Sequence, residues 1–380
     1  MNTVQDIFLS FYDEYRATYG DNHDYHKVAY AIMNCKSGSL GRNVSTCDDC
    51  GNVQYHNNSC RNRHCPGCQA IPRLVWVDAR KAEVIDGVTY FHAVFTIPAE
   101  LNPLVFANQK TLYALFHECV SKTLLELSGD PKYLGGKPGI TQVLHTWGSK
   151  LNYHPHIHTI IMGCGLTETL QVVEKPDFFI PIGVLSRKFR GKFMAMLKDL
   201  YTNGKLVFPH PVSYLKTPAK WNKLVCLLYN MEWVPYIKET FNGSGNAIEY
   251  LGKYTHRIAI SNHRICEVTD STVTFSYKDY CDGTYKNLTI SGVEFVRRFL
   301  MHVLPKGFVK IRHYGAFNNR QKKKILKIIR DKMALIEFKA VLAGLKVHEI
   351  LKKLFNVDIT RCPKCNSTNY RTRQVAFMRN

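Results

Sequence analysis

Apolar positions recur along the chain with two periods, and the switches between them lay out the elements. Residues 3–34 carry helical spacing, with Ile7, Phe8, Phe11 and Tyr12 followed by Ala29, Tyr30, Ile32 and Met33, as expected of helix faces turned to a core. A Gly/Ser-rich connection at 36–42 leads out of them. An apolar run at 90–98 reads as a strand. Residues 108–126 return to a 3.6 period through Leu112, Leu115, Phe116, Val120 and Leu124. A Gly/Pro break at 129–138 precedes a strand over 140–147, and a second apolar strand follows from His154 to Gly163. Residues 165–183 read as a short strand and loop, and 186–201 as a basic helix burying Phe189, Phe193, Met194, Met196 and Leu197. The apolar stretch 223–236 does not choose between helix and strand. Further strands are expected at 264–268, 272–277 and 287–290, then a helix over 292–303 stopped by Pro305. Strands with helices between and after them imply an α+β fold built on an antiparallel sheet. No internal repeat or long low-complexity segment is present.

Charge narrows the class of partner. Lysine and arginine number 51 against 30 acidic residues, a net charge of +21 over 380 residues. An excess that large points to a polyanion. Nucleic acid is favoured over an anionic membrane, because no run of 18 apolar residues is present to span one. The first residues lack the basic-then-apolar layout of a secretory signal. The thirteen cysteines are therefore expected in a reducing cytoplasm, as metal ligands or buried thiols.

Two Cys-x2-Cys knuckles, Cys47/Cys50 and Cys65/Cys68, are separated by fourteen residues. Each presents two thiolates, and together they would complete a tetrahedral structural zinc site. Cys60 and His64 lie inside the loop and could replace one member. Arg61 and Arg63, in the same loop, could meet phosphates. A last knuckle, Cys362/Cys365, has no second pair nearby; it could share a site with distant residues or another subunit, or bind nothing.

The strand beginning at residue 154 carries His154, His156 and His158 at alternate positions. Side chains at i, i+2 and i+4 share one face of a strand, and imidazoles there would each bury a ring nitrogen that needs a partner. A metal ion supplies one. Tyr250 and Tyr254 are spaced i, i+4 in a stretch of helical character, as are Lys253 and Arg257 nearly alongside. A metal beside a phosphate, with a phenol poised to attack it, is a strand-cleavage site. The most basic segment, 306–324, holds Lys310, Arg312, Lys322, Lys323 and Lys324 interleaved with Phe308, His313 and Tyr314, the composition of a nucleic-acid groove. Residues 135–138 lack the spacing and hydroxyl of a phosphate-binding loop, so no built-in helicase is expected.

The segments 59–69, 145–149, 154–158, 250–260, 294–299, 304–308 and 311–315, in that order, resemble the rolling-circle transposases of the insertion-sequence-ninety-one type. These are members of the HUH (His-hydrophobic-His) endonuclease superfamily. The resemblance implies an HUH-type sheet flanked by helices and three segments: a helical and zinc-binding module at 1–75, a nuclease domain with a tyrosine helix at 76–262, and a basic DNA-binding region at 263–380. It implies His156 and His158 as ligands of a catalytic Mg2+ or Mn2+, and Tyr250 and Tyr254 as nucleophiles. The third ligand stays open among His154, His145, Glu249 and His92. Lys253 stands where arginine is more often expected. The implied partners are single-stranded DNA of the element's ends, target DNA, and a host helicase or replication machinery, in the bacterial cytoplasm and nucleoid. The rival readings are a plasmid replication initiator or relaxase, a metal phosphodiesterase needing neither tyrosine, and a non-catalytic zinc-finger regulator.

Overall fold

The alternating and helical patterns are realised in a computed structural model of the chain, which describes residues 2–177, 180–239, 252, 258–279 and 281–375. The first pattern folds as α1 (Val4–Tyr19), opened by a Thr3/Asp6 capping box, and α2 (His23–Met33), capped by Asn22. The hairpin β1 (Arg42–Cys47) and β2 (Val53–Asn57) follows, then α3 (Ala70–Lys81), which the apolar pattern did not reveal. The central part runs β3 (Tyr90–Thr96), α4 (Asn102–Ala107), α5 (Gln109–Gly129), β4 (Lys137–Trp147), β5 (Tyr153–Leu166), β6 (Val172–Glu174) and α6 (Ile182–Thr202). The ambiguous stretch resolves into both elements: α7 (Pro218–Asn230), with proline in its first turn, then β7 (Tyr236–Glu239). Beyond it lie β8 (Ile265–Val268), β9 (Thr272–Lys278), β10 (Tyr285–Ser291), α8 (Gly292–Leu300), β11 (Ile311–Gly315), α9 (Lys322–Lys332), α10 (Val347–Phe355) and β12 (Tyr370–Val375).

The main sheet is antiparallel, in the order β11-β4-β5-β3-β7, with β6 added to β5. It is covered on both faces. Phe91, Ala93, Phe95, Ile140, Leu144, Ile157 and Ile161 point into a core shared with Leu112 and Phe116 of α5 and Phe189 and Phe193 of α6. Tyr90, Val143, Ile160 and Met162 point the other way, against Phe317, Leu326 and Ile329, with Trp76 and Val77 of α3 packed on them. Strand alternation puts His154, His156 and His158 on this second face, in phase with Ile160 and Met162. The expected α+β architecture, antiparallel sheet with flanking helices, is thus the observed one.

A second core joins the start of the chain to residues near 300. The buried faces of α1 and α2 pack on β8, β9 and α8, where Phe8 meets Phe299 edge to face at 5.2 Å between ring centres. Gly292 opens α8 directly against the Phe11 ring, in space that a Cβ could not share. The segment 263–380 is therefore distributed through the molecule: β8–β10 stand against the N-terminal helices, β11 edges the main sheet, and β12 pairs with β1 in the sheet β12-β1-β2. Among the described residues, no helix is long and apolar enough to cross a membrane.

Truncating one side of the aromatic contact between α1 and α8 is costly. Phe299→Ala is expected to lose roughly 3–5 kcal/mol, read as a lower urea midpoint by circular dichroism. Two deeply buried histidines add an acid sensitivity. Desolvation pushes His117 down to about 3 and His302 down to about 4. Below the unfolded value near 6.5 the unfolded chain takes up protons that the folded chain refuses, so this contribution is intact above that pH and falls as pH drops toward 4. Stability should decline between pH 6.5 and 5, where carboxylates are still ionised, by up to about 1.4 kcal/mol per pH unit for each ring. A midpoint that stays level across that interval contradicts neutral burial.

Candidate active site and metal clusters

β4 and β5 pair so that His145 stands directly opposite His156 and Val143 opposite His158. The ring nitrogens of His145, His156 and His158 consequently lie within 4.8 Å of one another. Their rings meet edge to face, with centres 5.5 Å apart for His145–His156, 4.8 Å for His145–His158 and 4.9 Å for His156–His158. His145 and His158 are 2% and 8% exposed, while His156 is half-buried.

Neighbouring groups fix the orientation of these rings. Nδ1 of His156 donates to the His154 carbonyl at 2.8 Å, so Nε2 carries that ring's lone pair. Nδ1 of His158 lies 3.1 Å from Nε2 of His92, which engages the nitrogen on the far side of His158. Burial pushes His92 down to about 4, keeping it neutral near pH 7. Trp147 stacks on His145 at 4.4 Å. Supporting hydrogen bonds of this kind are what orient metal-binding imidazoles. Three imidazoles whose ring nitrogens converge suit a divalent ion, and nitrogen donors favour a transition ion over Mg2+.

His154, expected to share the site, stands outside the group of three. Along a strand His154 and His158 are separated by four residues, about 13 Å at about 3.3 Å per residue, whereas cross-strand neighbours approach to about 5 Å. The opposing strand therefore supplies the third imidazole, and the His154 backbone serves by holding His156. His92 enters as a partner of His158. Tyr250, Lys253, Tyr254, Arg257 and Glu249 lie outside the described residues. Gly252, between the tyrosines in sequence, is described: it is helical and buried, so close to the Val77 side chain that a Cβ would collide. Val77 belongs to α3, which covers the histidine-bearing face of the main sheet.

The eight clustered cysteines form two groups of four. Cys35, Cys60, Cys65 and Cys68 come together at the end of α2, and Cys47 and Cys50 meet Cys362 and Cys365. The single tetrahedron expected from Cys47, Cys50, Cys65 and Cys68 is not formed. The β1–β2 hairpin separates its two halves: five to six residues of strand carry the Cys47/Cys50 turn roughly 17 Å from the hairpin base near Cys60. In the first group, hydrogen bonding from the Cys65 thiol chiefly holds Cys60 below the ordinary thiol value. His64 joins neither group; its burial pushes it down to about 3.

The basic residues sort by what they touch. Arg63 donates to the carbonyls of Leu304, Pro305 and Phe308 at 2.7–3.3 Å, tying the zinc module to the turn before β11. Lys322 pairs with Glu83 at 2.6 Å. The Arg312 guanidinium lies over the Phe308 ring, and burial beside Arg63 lowers Lys310 to about 8. Arg61, Lys323 and Lys324 are exposed.

Residues 139–324 match the family described as "Putative transposase", and residues 7–97 match the family described as "Transposase zinc-binding domain" of the IS91 type. The chain is 37% identical over 369 residues to "Putative transposase y4qJ" of Sinorhizobium fredii (strain NBRC 101917 / NGR234), covering 96% of this chain and 92% of that protein. The chain belongs to the IS91 family of transposases. It is also 27% identical over 342 residues to "Transposase for insertion sequence element IS801" of Pseudomonas savastanoi pv. phaseolicola, covering 88% of this chain and 80% of that protein. No solved structure matches the chain. The transposase match takes in His145, His156 and His158 together, and the zinc-binding match takes in one whole sulfur cluster and half of the other.

Sequence reasoning had a signal for His145, a histidine in an apolar strand beside the histidine strand, but could not fix the pairing. It had a signal for the second sulfur cluster as well, in the orphan Cys362/Cys365 knuckle. Titration with Mn2+ by calorimetry separates the ligands from their neighbours. His145→Ala and His158→Ala should abolish binding, His92→Ala should weaken it roughly tenfold, and His154→Ala should leave it nearly unchanged. Equal losses at His154 and His145 would refute the assignment of the third imidazole.

Proposed function

We propose that this transposase nicks and rejoins single-stranded DNA at the ends of its insertion sequence through a 5′-phosphotyrosine intermediate, as in rolling-circle transposition. The convergence of His145, His156 and His158 on the sheet face covered by α3 carries this reading. The contact of Gly252 with Val77 supports it, because Tyr250 and Tyr254 flank that glycine in sequence. The three imidazoles would hold Mn2+ or Mg2+, which supplies polarisation of the scissile phosphate and neutralisation of its charge.

The remaining chemistry falls to the chain's own side chains. A tyrosine phenol, with an ordinary pKa of about 10, attacks phosphorus; the Oη–P bond forms and the P–O3′ bond breaks, releasing a protonated 3′-OH. The cations Lys253 and Arg257 favour the phenolate, though Lys253 offers a point charge without the planar fork of arginine. The phosphotyrosine ester conserves the energy of the broken phosphodiester, so attack by a 3′-OH restores the bond without a nucleotide cofactor. A second tyrosine allows a second strand to be cut while the first is held. Exposed Arg61, Lys323 and Lys324 suit the DNA backbone, and strand separation falls to a host helicase or to replication.

Denaturing gels of the purified protein with end-labelled single-stranded DNA from the element's terminus test the proposal. A metal-dependent covalent adduct is expected, lost in the Tyr250→Phe/Tyr254→Phe double variant and in His158→Ala. Cleavage without an adduct makes water the nucleophile and the protein a phosphodiesterase. Binding without cleavage, with a verified terminus and both metals, makes it a regulator.

A further inference from the structure

We propose that Cys47, Cys50, Cys362 and Cys365 bind a second structural zinc ion, which clasps the two ends of the chain into one split zinc ribbon. The proposal is independent of the transposition chemistry. Its sulfurs are already gathered: Sγ of Cys47 lies 3.5 Å from Sγ of Cys365, and Sγ of Cys50 lies 3.5 Å from Sγ of Cys362. All four fall within 4.8 Å of one another, and four convergent sulfurs suit tetrahedral zinc.

The two knuckles also share one backbone design, although they stand at opposite ends of the sequence. Cys47 N–H donates to Asn52 O at 2.9 Å, and Gly51 N–H returns to Cys47 O at 3.0 Å. Cys362 N–H donates to Ser367 O at 3.0 Å, and Asn366 N–H returns to Cys362 O at 2.8 Å. The residue after each second cysteine is left-handed, Gly51 at φ 68° and Asn366 at φ 58°, the conformation that glycine and asparagine tolerate best. Two unrelated turns have no reason to repeat this pattern. Two halves of one metal site do, since each must aim a pair of sulfurs at a common point.

Polar contacts, such as Ser45 with Thr372 and Asp49 with Ser367 and Asn369, line this ribbon, but it has little apolar core to hold it together. β12 runs antiparallel to β1 from Arg42↔Val375 to Cys47↔Tyr370, yet β2 and β12 are exposed along almost their whole length. The apolar burial in and beside the sheet reduces to Val44, Cys47 and Cys362. Arg371 pairs with Asp48 at 2.6 Å on an exposed surface, an interaction of small net worth. A three-stranded sheet with almost no core needs a metal or a covalent staple. The first sulfur group differs in this respect, because Cys35 and Cys65 are buried in the large core beneath α1 and α2. Loss of the second ion should therefore release residues 356–375 and leave the N-terminal helices folded.

Metal analysis of the full chain, with the histidine site kept constant in every sample, tests the clasp. The Cys362→Ser/Cys365→Ser variant should contain one zinc fewer per chain than the wild type, with unchanged helical circular dichroism. In the wild type, Cys362 and Cys365 should resist alkylation until a chelator is added. Hydrogen exchange at 370–375 and at 42–47 should then accelerate together. An unchanged zinc count, iron in place of zinc, or alkylation of both cysteines in the zinc-loaded wild type at the rate of exposed Cys226 overturns the proposal. The alkylation arm uses unmodified protein, so a misfolded variant cannot imitate the result.

Discussion

The antiparallel register between β4 and β5 is the constraint on which the candidate site depends. With His145 opposite His156, three imidazoles from two strands occupy one patch. A slip of one residue would turn every side chain of a strand to the other face, sending the imidazoles toward α5 and α6 and bringing Leu144 and Ile157 out of their core. The apolar residues on both faces of the sheet, Leu144 and Ile157 on one and Val143 and Ile160 on the other, forbid that slip. Ordinary hydrophobic packing thus sets the geometry of a polar site. His92 and the His154 carbonyl then aim two of the rings, as supporting hydrogen bonds do for metal-binding imidazoles.

Around this sheet the chain is interlaced. The N-terminal helices rest on α8 and β9, Arg63 reaches carbonyls just before β11, and β12 returns to pair with β1. Contacts so distant in sequence close long loops, whose entropic cost grows only slowly with length. The first two join the zinc-binding part to the transposase part, and the third brings residues 370–375 back to the zinc-binding part. The covering of both sheet faces leaves the histidine cluster near α3, with Gly252 seated on the same helix. A rigid sheet that holds polar groups in fixed positions suits chemistry in which positioning and charge do most of the work.

What the sequence revealed and what it hid follow from the range of the interactions. The helices at the start of the chain and at 186–201, and the strands bearing histidine, were legible because a single periodicity specifies each. Leu112, Phe116, Phe189 and Phe193 were placed correctly in the core by spacing alone; Met196, assigned to the same face, is only half-buried. α3 escaped notice because its buried side is short and flanked by arginines. The stretch 223–236 could not be resolved because it is two elements. The pairing of His145 with His156, the place of Cys35 in one sulfur cluster and the meeting of Cys362 and Cys365 with Cys47 and Cys50 in the other were hidden for one shared reason: they are fixed by contacts between separate segments, which no local pattern encodes. Among the alternatives that the sequence leaves open for a third imidazole, His145 is the one that the pairing of β4 with β5 brings to His156 and His158.

Anomalous diffraction at the manganese edge, from crystals grown with Mn2+, addresses the central claim most directly. The account predicts one strong peak bonded to imidazole nitrogens of His145, His156 and His158, with His92 and His154 outside coordination distance. A peak held by His154 or His92 in place of His145, or no peak among the three rings in crystals saturated with the ion, would contradict it.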